Sequence, residues 1–248
     1  MTDELEFTLR RLAELSARAA DGYYTYSDFL TLAEQSALAR LRLPTRYLLF
    51  GGSEDCERRI AAFGHPDDLG YPPEWPIRAL SCAPRSQKFA EELTHRDLLG
   101  AVLSLGVDRS RVGDIFLHEN VAYLFVAEPI APFLCENLLR VRHTDVTCAP
   151  ADPDPALLAP RLTPRDAVCA SRRADAVVAG VFRLSRSESG ALFSRELVFR
   201  NGLALSSPSA ELCDGDVISV RGHGRFRVEG EGGRTGSGRL HLRVLLYS

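Results

Sequence analysis

The chain has 248 residues, 45% hydrophobic and 25% charged, with a formal net charge of −3. That length suits one large domain or two to three small ones with packed cores, and no window approaches the ~18 uncharged apolar residues of a membrane span. Six cysteines without a Cys-x-x-Cys pair, and equally scattered histidines, argue against a disulfide framework or a metal site and for reduced thiols in a cytosolic protein.

The acidic opening Met1-Thr-Asp-Glu-Leu-Glu6 raises no expectation of a leader peptide. Residues 2–20 read as a helix, because Leu5, Leu9, Leu12, Leu15 and Ala19 fall at steps of three and four. Thr2 is its expected cap, and Asp21-Gly22 ends it. A second helix is expected over 27–40, capped by Ser27, with Leu30, Ala33, Ala37 and Leu41 on one side and Pro44 beyond its end. Tyr47-Leu-Leu-Phe50 reads as a strand turned by Gly51-Gly52, and another strand runs into Phe63. We place a small N-terminal α/β domain at residues 1–73. Gly51-Gly52-Ser53 reads as a turn rather than a phosphate cradle, since Glu54, Asp55 and Glu57 would repel phosphate.

Pro72-Pro-Glu-Trp-Pro76 is a domain entry. The spacing then predicts a strand at 77–83 and a helix at 94–105 with a Thr94/Asp97 capping pair. Strands at 112–117 and 121–127 follow, then a helix at 129–141 and a strand at 144–148. That is the split βαβ order of a ferredoxin-like, RRM-like domain, placed at 74–150. Phe116, Tyr123 and Phe125 lie on its strands, but the aromatic run needed for base stacking is missing, so they read as core. His95-Arg96-Asp97 matches the letters of a kinase catalytic loop without its context, and helix capping accounts for Asp97.

Pro150-Ala-Asp-Pro-Asp-Pro155 opens an acidic linker, placed at 151–170. Residues 171–248 carry 12 Arg, no Lys and 8 acidic residues, a balance of +4, which leaves −7 for residues 1–170. This C-terminal part is therefore expected to meet a polyanion. A helix at 173–181 buries Ala174, Val177, Val178 and Val181. A second helix runs to Arg195, capped by Ser185 with Glu188 completing a capping box. Arg186 sits in its first turn, where a cation opposes the helix dipole, so a phosphate contact is its expected role. A strand at 197–199, the turn Arg200-Asn201-Gly202, a strand at 216–220 and a Gly-rich hairpin loop follow. In the closing strand 239–247, Leu240, Leu242, Val244 and Leu246 alternate with Arg239, His241, Arg243 and Leu245. The expected phosphate-binding face comprises Arg173, Ser185, Arg186, Ser187, Arg195, Arg200, Asn201, Arg221 and Arg225. No catalytic residue, metal or cofactor is assigned.

The order and spacing of residues 171–221 resemble the S4 (αL) RNA-binding domain. Upstream, Tyr26-Ser-Asp-Phe-Leu30 with Glu34-Gln35, the Gly51-Gly52 turn with Glu57-Arg58-Arg59, and Leu93-Thr-His-Arg-Asp-Leu-Leu-Gly100 through Gly113-Asp114-Ile115 resemble the YlmH family. The resemblance implies an α+β protein of three domains and a cytoplasmic, monomeric, non-enzymatic RNA-binding protein. It implies binding to ribosomal RNA of the large subunit, with tRNA as a further contact, in ribosome-associated quality control of stalled chains. An RNA-modifying enzyme targeted by S4, or a cell-division interaction protein, are the alternatives. Two positions depart from the S4 pattern: Ala174 stands where leucine is usual, and Glu196 where glycine is usual.

Overall fold

The Leu stripe near the N-terminus forms α1 (Asp3–Ala19), whose Leu12 and Ala19 are buried. The computed structural model describes residues 3–247 apart from 87, 89, 160, 161 and 237, so the expected cap Thr2 lies outside the described residues. The chain divides into two units, Met1–Ala159 and Pro160–Ser248.

In the first unit α1 is followed by β1 (Thr25–Leu30), α2 (Leu32–Leu38), β2 (Tyr47–Phe50), β3 (Arg59–Phe63) and the single turn α3 (Pro66–Leu69). The strands form an antiparallel sheet of order β1-β3-β2. The expected helix over 27–40 is corrected here: residues 25–30 are strand, and α2 starts after Thr31, not Ser27. Thr31 and Glu34 form the capping box, with the Thr31 N–H donating to Glu34 Oε2 at 2.7 Å. Ser27 sits in a bulge of β1, where its Oγ accepts the Ala61 N–H at 2.8 Å and so replaces a missing ladder carbonyl. The helical spacing of Leu30, Ala33 and Ala37 concealed this bulge.

The chain continues through β4 (Ile77–Pro84), α4 (His95–Ser104), β5 (Val112–His118), β6 (Val121–Ala127), α5 (Ala131–Asn137), β7 (Arg140–Val141), β8 (Thr144–Pro150) and the short α6 (Pro155–Leu158). The antiparallel sheet has the order β5-β6-β4-β8-β7. The helix expected to reach residue 141 stops at Asn137. Arg142, at φ 54°, then turns β7 into β8 and sets Val141 in the sheet. One face of this sheet packs Leu80, Leu124 and Val146 against Leu98 and Val102 of α4 and Leu134 of α5.

The other face carries Phe116, Tyr123 and Phe125, and it is covered at Phe125, while Phe116 and Tyr123 stay half-buried and an open cavity borders Ala79 and Phe125. Phe125 is 3% exposed and clusters with Phe29 of β1, Ile60 of β3 and Cys56. Gly52 lies flat on its ring: at φ 104°, a Cβ there would come within 2.2 Å of Phe125 Cδ1. The contact is locked by polar groups. Asp114 of β5 accepts the Glu57 and Arg58 N–H groups at 2.6 and 2.9 Å. Arg58 reaches back to the carbonyls of Val112 (3.0 Å) and Phe29 (2.9 Å). Burial, reinforced by Arg109, lowers the Arg58 guanidinium to about 10. Residues 1–73 and 74–150, read from sequence as separate domains, thus fall in one compact unit.

The second unit comprises β9 (Leu162–Cys169), α7 (Ala174–Phe182), α8 (Arg186–Ser194), β10 (Val198–Arg200), β11 (Leu203–Ala204), β12 (Val217–Val220), β13 (Gly224–Arg234) and β14 (Leu240–Tyr247). Its antiparallel sheet runs β11-β10-β12-β13-β14-β9. The linker expected over 151–170 is therefore shorter. Residues 162–169 pair with β14 along their whole length, from Leu162↔Tyr247 to Cys169↔Leu240. Pro164 and the charges beside it made this stretch read as a loop; Pro is tolerated because β9 is an edge strand. Ala167 and Cys169 point inward onto α7.

Burial raises the Asp114 carboxyl above the ordinary carboxylate range, with the Arg58 N–H opposing it. Its contribution to stability is complete below the unfolded carboxyl's pKa and falls as pH rises through the folded one. Asp114→Asn keeps an acceptor for both N–H groups and should cost under about 0.5 kcal/mol at neutral pH. Asp114→Ala orphans them and should cost about 2 kcal/mol. Urea denaturation from about pH 4 to pH 7 should show the Asn variant gaining on the parent as pH rises.

Candidate nucleic-acid interface

In the second unit Ala174, Val177, Val178 and Val181 of α7 and Leu192 and Phe193 of α8 bury against the sheet, leaving both helix starts at the surface. Ser185 caps α8: its Oγ accepts the Glu188 N–H at 3.2 Å, and its own N–H donates to Glu188 Oε2 at 2.7 Å. Ser187 lies 3.0 Å from the Ser185 hydroxyl. Ser189 donates to the Asp175 carbonyl at 2.8 Å, which ties α8 to the first turn of α7. Arg173 grips the Asp175 carboxylate through two bonds of 3.1 and 2.8 Å, yet its side chain stays 50% exposed. That grip, helped by Arg186, holds the Asp175 carboxyl below the usual range against the effect of burial. Arg173, Ser185, Arg186 and Ser187 are thus brought together around the helix starts.

Arg200 and Asn201 are held inward. Asp216 is 5% exposed and accepts from Arg200 Nη2 (2.8 Å), Asn201 Nδ2 (3.0 Å) and the Cys213 N–H (2.7 Å). Arg200 Nη1 also donates to the Glu211 carbonyl at 3.2 Å. Asn201 (φ 49°) and Gly202 (φ 79°) make the two-residue hairpin turn between β10 and β11, and Asn201 Oδ1 accepts the Val217 N–H at 2.8 Å. The same loop supports α7: the Ala174 and Asp175 N–H groups donate to Ala210 and Pro208 carbonyls at 2.8 and 2.9 Å. Arg200 therefore holds the surface that carries Arg173. Reversing Arg200 to Glu, an obvious choice from sequence, would set a carboxylate against buried Asp216 and cost folding.

Arg221 and Arg225 lie across the sheet. Phe226, Val220 and Val198 point into the core beneath the helices, so Arg225 and Phe199 face the other way. Arg225 stacks 4.5 Å from the Tyr247 ring centre, and Arg221 4.7 Å from that of Phe199. Arg195 caps the far end of α8. The single face expected from sequence is corrected to two: one around the helix starts, one on the helix-free side.

In the first unit, Asp97 accepts from Thr94 Oγ1 at 2.6 Å and from the Thr94 N–H at 3.0 Å, and these bonds lower its carboxyl. It is a helix cap. The β7–β8 hairpin is basic, but Arg140 pairs with Asp145 at 2.8 Å and Arg142 with Glu91 at 3.4 Å. Among the described residues no group of three or more His, Cys, Asp or Glu is placed to hold a metal, and no helix is long and apolar enough to cross a membrane.

These features define a mixed α/β protein of several antiparallel sheets, with arginines displayed at the helix starts of its C-terminal unit. Residues 79–153 match the family model described as "Putative RNA-binding domain in YlmH". Over 210 residues the chain is 30% identical to "Ribosome-associated protein quality control protein P2" of Bacillus subtilis (strain 168), covering 83% of this chain and 81% of that protein. The chain belongs to the YlmH family. A solved structure, "Cell division protein ylmH from Streptococcus pneumoniae", is 19% identical with a TM-score of 0.48, over 61% of this chain and 93% of that one.

Glu196, just after α8, occupies the left-handed region at φ 54°. A side chain there costs about 1–2 kcal/mol that glycine avoids. Glu196→Gly should therefore raise the urea midpoint, a gain of roughly 0.5–1 kcal/mol after the greater flexibility of unfolded glycine is counted.

Proposed function

We propose that this chain is a non-enzymatic RNA-binding protein that docks on ribosomal RNA of the large subunit through residues 160–248, read as an S4 domain. Its role on this reading is ribosome-associated quality control, on large subunits that still carry peptidyl-tRNA, with the tRNA as a second contact. It acts as a cytoplasmic monomer. The observation that carries the reading is the exposed pair Arg173 and Arg186, set around Asp175 at the start of two helices. Guanidinium groups on a rigid helical base suit phosphate oxygens and recognise folded RNA by shape. The +4 balance of residues 171–248 adds long-range attraction. The name of the Bacillus subtilis relative supports the ribosomal setting.

We read the sheet β5-β6-β4-β8 of the first unit as RRM-like, with Phe29, Ile60 and Cys56 packed over Phe125 on the face that would otherwise stack bases. On this reading it contributes to RNA contact through its edges and its β7–β8 hairpin rather than by stacking bases.

The double variant Arg173→Gln/Arg186→Gln, which removes both charges without setting a carboxylate against Asp175, tests this. At about 0.15 M salt, affinity for large-subunit RNA should fall by roughly 100-fold, with thermal unfolding little changed. Cosedimentation with large subunits should be lost. Undiminished cosedimentation overturns the reading, and loss of a modified nucleotide on deletion of the gene would make the protein an enzyme instead.

A further inference from the structure

Beside the helix starts, the second unit holds a cavity of about 360 Å³ to which three arginines contribute: Arg183, Arg186 and Arg239. They come from different elements. Arg183 ends α7, Arg186 opens α8, and Arg239 precedes β14. The wall between them is the small-residue side of α7: Ala176, Ala179 and Gly180. Gly180 lets that helix lie down on β9, because a Cβ there would sit 3.2 Å from the Val168 carbonyl. Arg183 closes α7 in the left-handed region (φ 55°, ψ 44°), and the sharp turn brings Arg183 and Arg186 to one notch.

The arginines of this notch are not ion-paired, although Arg186 lies near enough to Asp175 to help hold its carboxyl down. Arg172, Arg173, Arg200 and Arg227 of the same unit each have a carboxylate within 4 Å, on Asp214, Asp175, Asp216 and Glu229. Among the described residues Arg183, Arg186 and Arg239 have none. Like charges lining one notch repel, by about 1 kcal/mol for a pair ~4 Å apart in water. An anion entering the notch relieves that repulsion and meets planar guanidinium donors, while the alanine and glycine wall admits an apolar ring edge-on.

We propose that this notch seats one backbone phosphate of a bound RNA strand, with its ribose against Ala176 and Ala179. The proposal rests on the RNA-binding reading above and extends that interface from the helix starts toward β9 and β14. Arg183 and Arg239 become phosphate contacts, and neither belongs to the set expected from sequence.

The test uses the full chain and spares Arg186, which the wider interface shares. Asn tolerates the left-handed conformation, so the variant is Arg183→Asn with Arg239→Gln. Fluorescence anisotropy with a labelled RNA hairpin, from about 50 to 200 mM salt, should show roughly tenfold weaker binding and a log–log salt slope reduced by about 2. In parallel, inorganic pyrophosphate titrated into the ¹⁵N-labelled parent should shift the Ala179 and Gly180 amides, and should leave them in place in the double variant. RNA binding with unchanged affinity and slope in the double variant overturns the notch while leaving the RNA-binding reading intact. Failure of the parent to bind RNA overturns that reading, and the pyrophosphate shifts then decide the notch alone: no response at Ala179 and Gly180 removes it as an anion site.

Discussion

One buried carboxylate organises the surface on which the second unit's proposed function depends. Asp216 is 5% exposed and would be costly to bury without partners. It is satisfied by a guanidinium, a carboxamide and a backbone N–H, all within 3.0 Å. Those three donors come from β10, the hairpin turn after it and the loop before β12. Asp216 thereby fixes the turn at Asn201, and Arg200 carries the constraint onward to the Glu211 carbonyl. The loop that contains Glu211 then receives the first N–H groups of α7, and Arg173 pairs with Glu211 in an isolated bridge. A chain of bonds runs from a residue shielded from solvent to one that faces it. The exposed arginines around α7 and α8 consequently stand on a rigid base, which is what precise placement of phosphate-binding groups requires.

The first unit uses the same device for a different end. Asp114 accepts two backbone N–H groups from residues 57 and 58, and Arg58 returns bonds to three carbonyls. Here the polar lock holds an apolar closure. Phe29, Ile60 and Cys56 cover the sheet face on which Phe125 sits, and burial pushes the Cys56 thiol up to about 12, keeping it protonated and inert. A sheet of this strand order could in principle present aromatics to bases. In this chain Phe125 is structural, so on the proposed reading recognition passes to hairpins, edges and the other unit.

What the sequence disclosed and what it hid divide by the range of the interaction. The capping boxes of Thr94 with Asp97 and Ser185 with Glu188 are local, and both helices begin where those residues predict. The alternation from Leu240 to Val244 is also local, and those residues are buried as a set. By contrast, Ser27 reads as a helix cap until its partner, the Ala61 N–H, is known to lie 34 residues away. β9 reads as a linker because its pairing with β14, from Cys169↔Leu240 to Leu162↔Tyr247, joins residues far apart in sequence and because Pro164 mimics a loop. The arginines fail in a third way. Arg225 stands next to buried Phe226, so strand parity alone sends it to the helix-free face. That parity was available in the sequence, but it has meaning only once the helices are known to cover Phe226.

Net charge also proves a poor guide to where an anion is met, because arginine serves two purposes in this chain. Arg58, Arg172 and Arg200 point their donors at backbone carbonyls, and Arg172 and Arg200 add a carboxylate. Each joins segments distant in sequence, a task that suits a planar group with five donors and that a lysine could not perform. Their charge is largely neutralised inside the fold. The remaining exposed guanidinium groups determine the outward field, and screening confines that field to about 8 Å at physiological salt. An arginine therefore acts on a ligand only where its guanidinium reaches the surface, as that of Arg173 does beside Asp175, and then only nearby. The count of +4 over the last 78 residues overstates the reach of the domain as a whole and understates the local potential around α7 and α8, where cations gather with few carboxylates between them. Recognition on such a surface is decided by which arginines the buried carboxylates leave unclaimed.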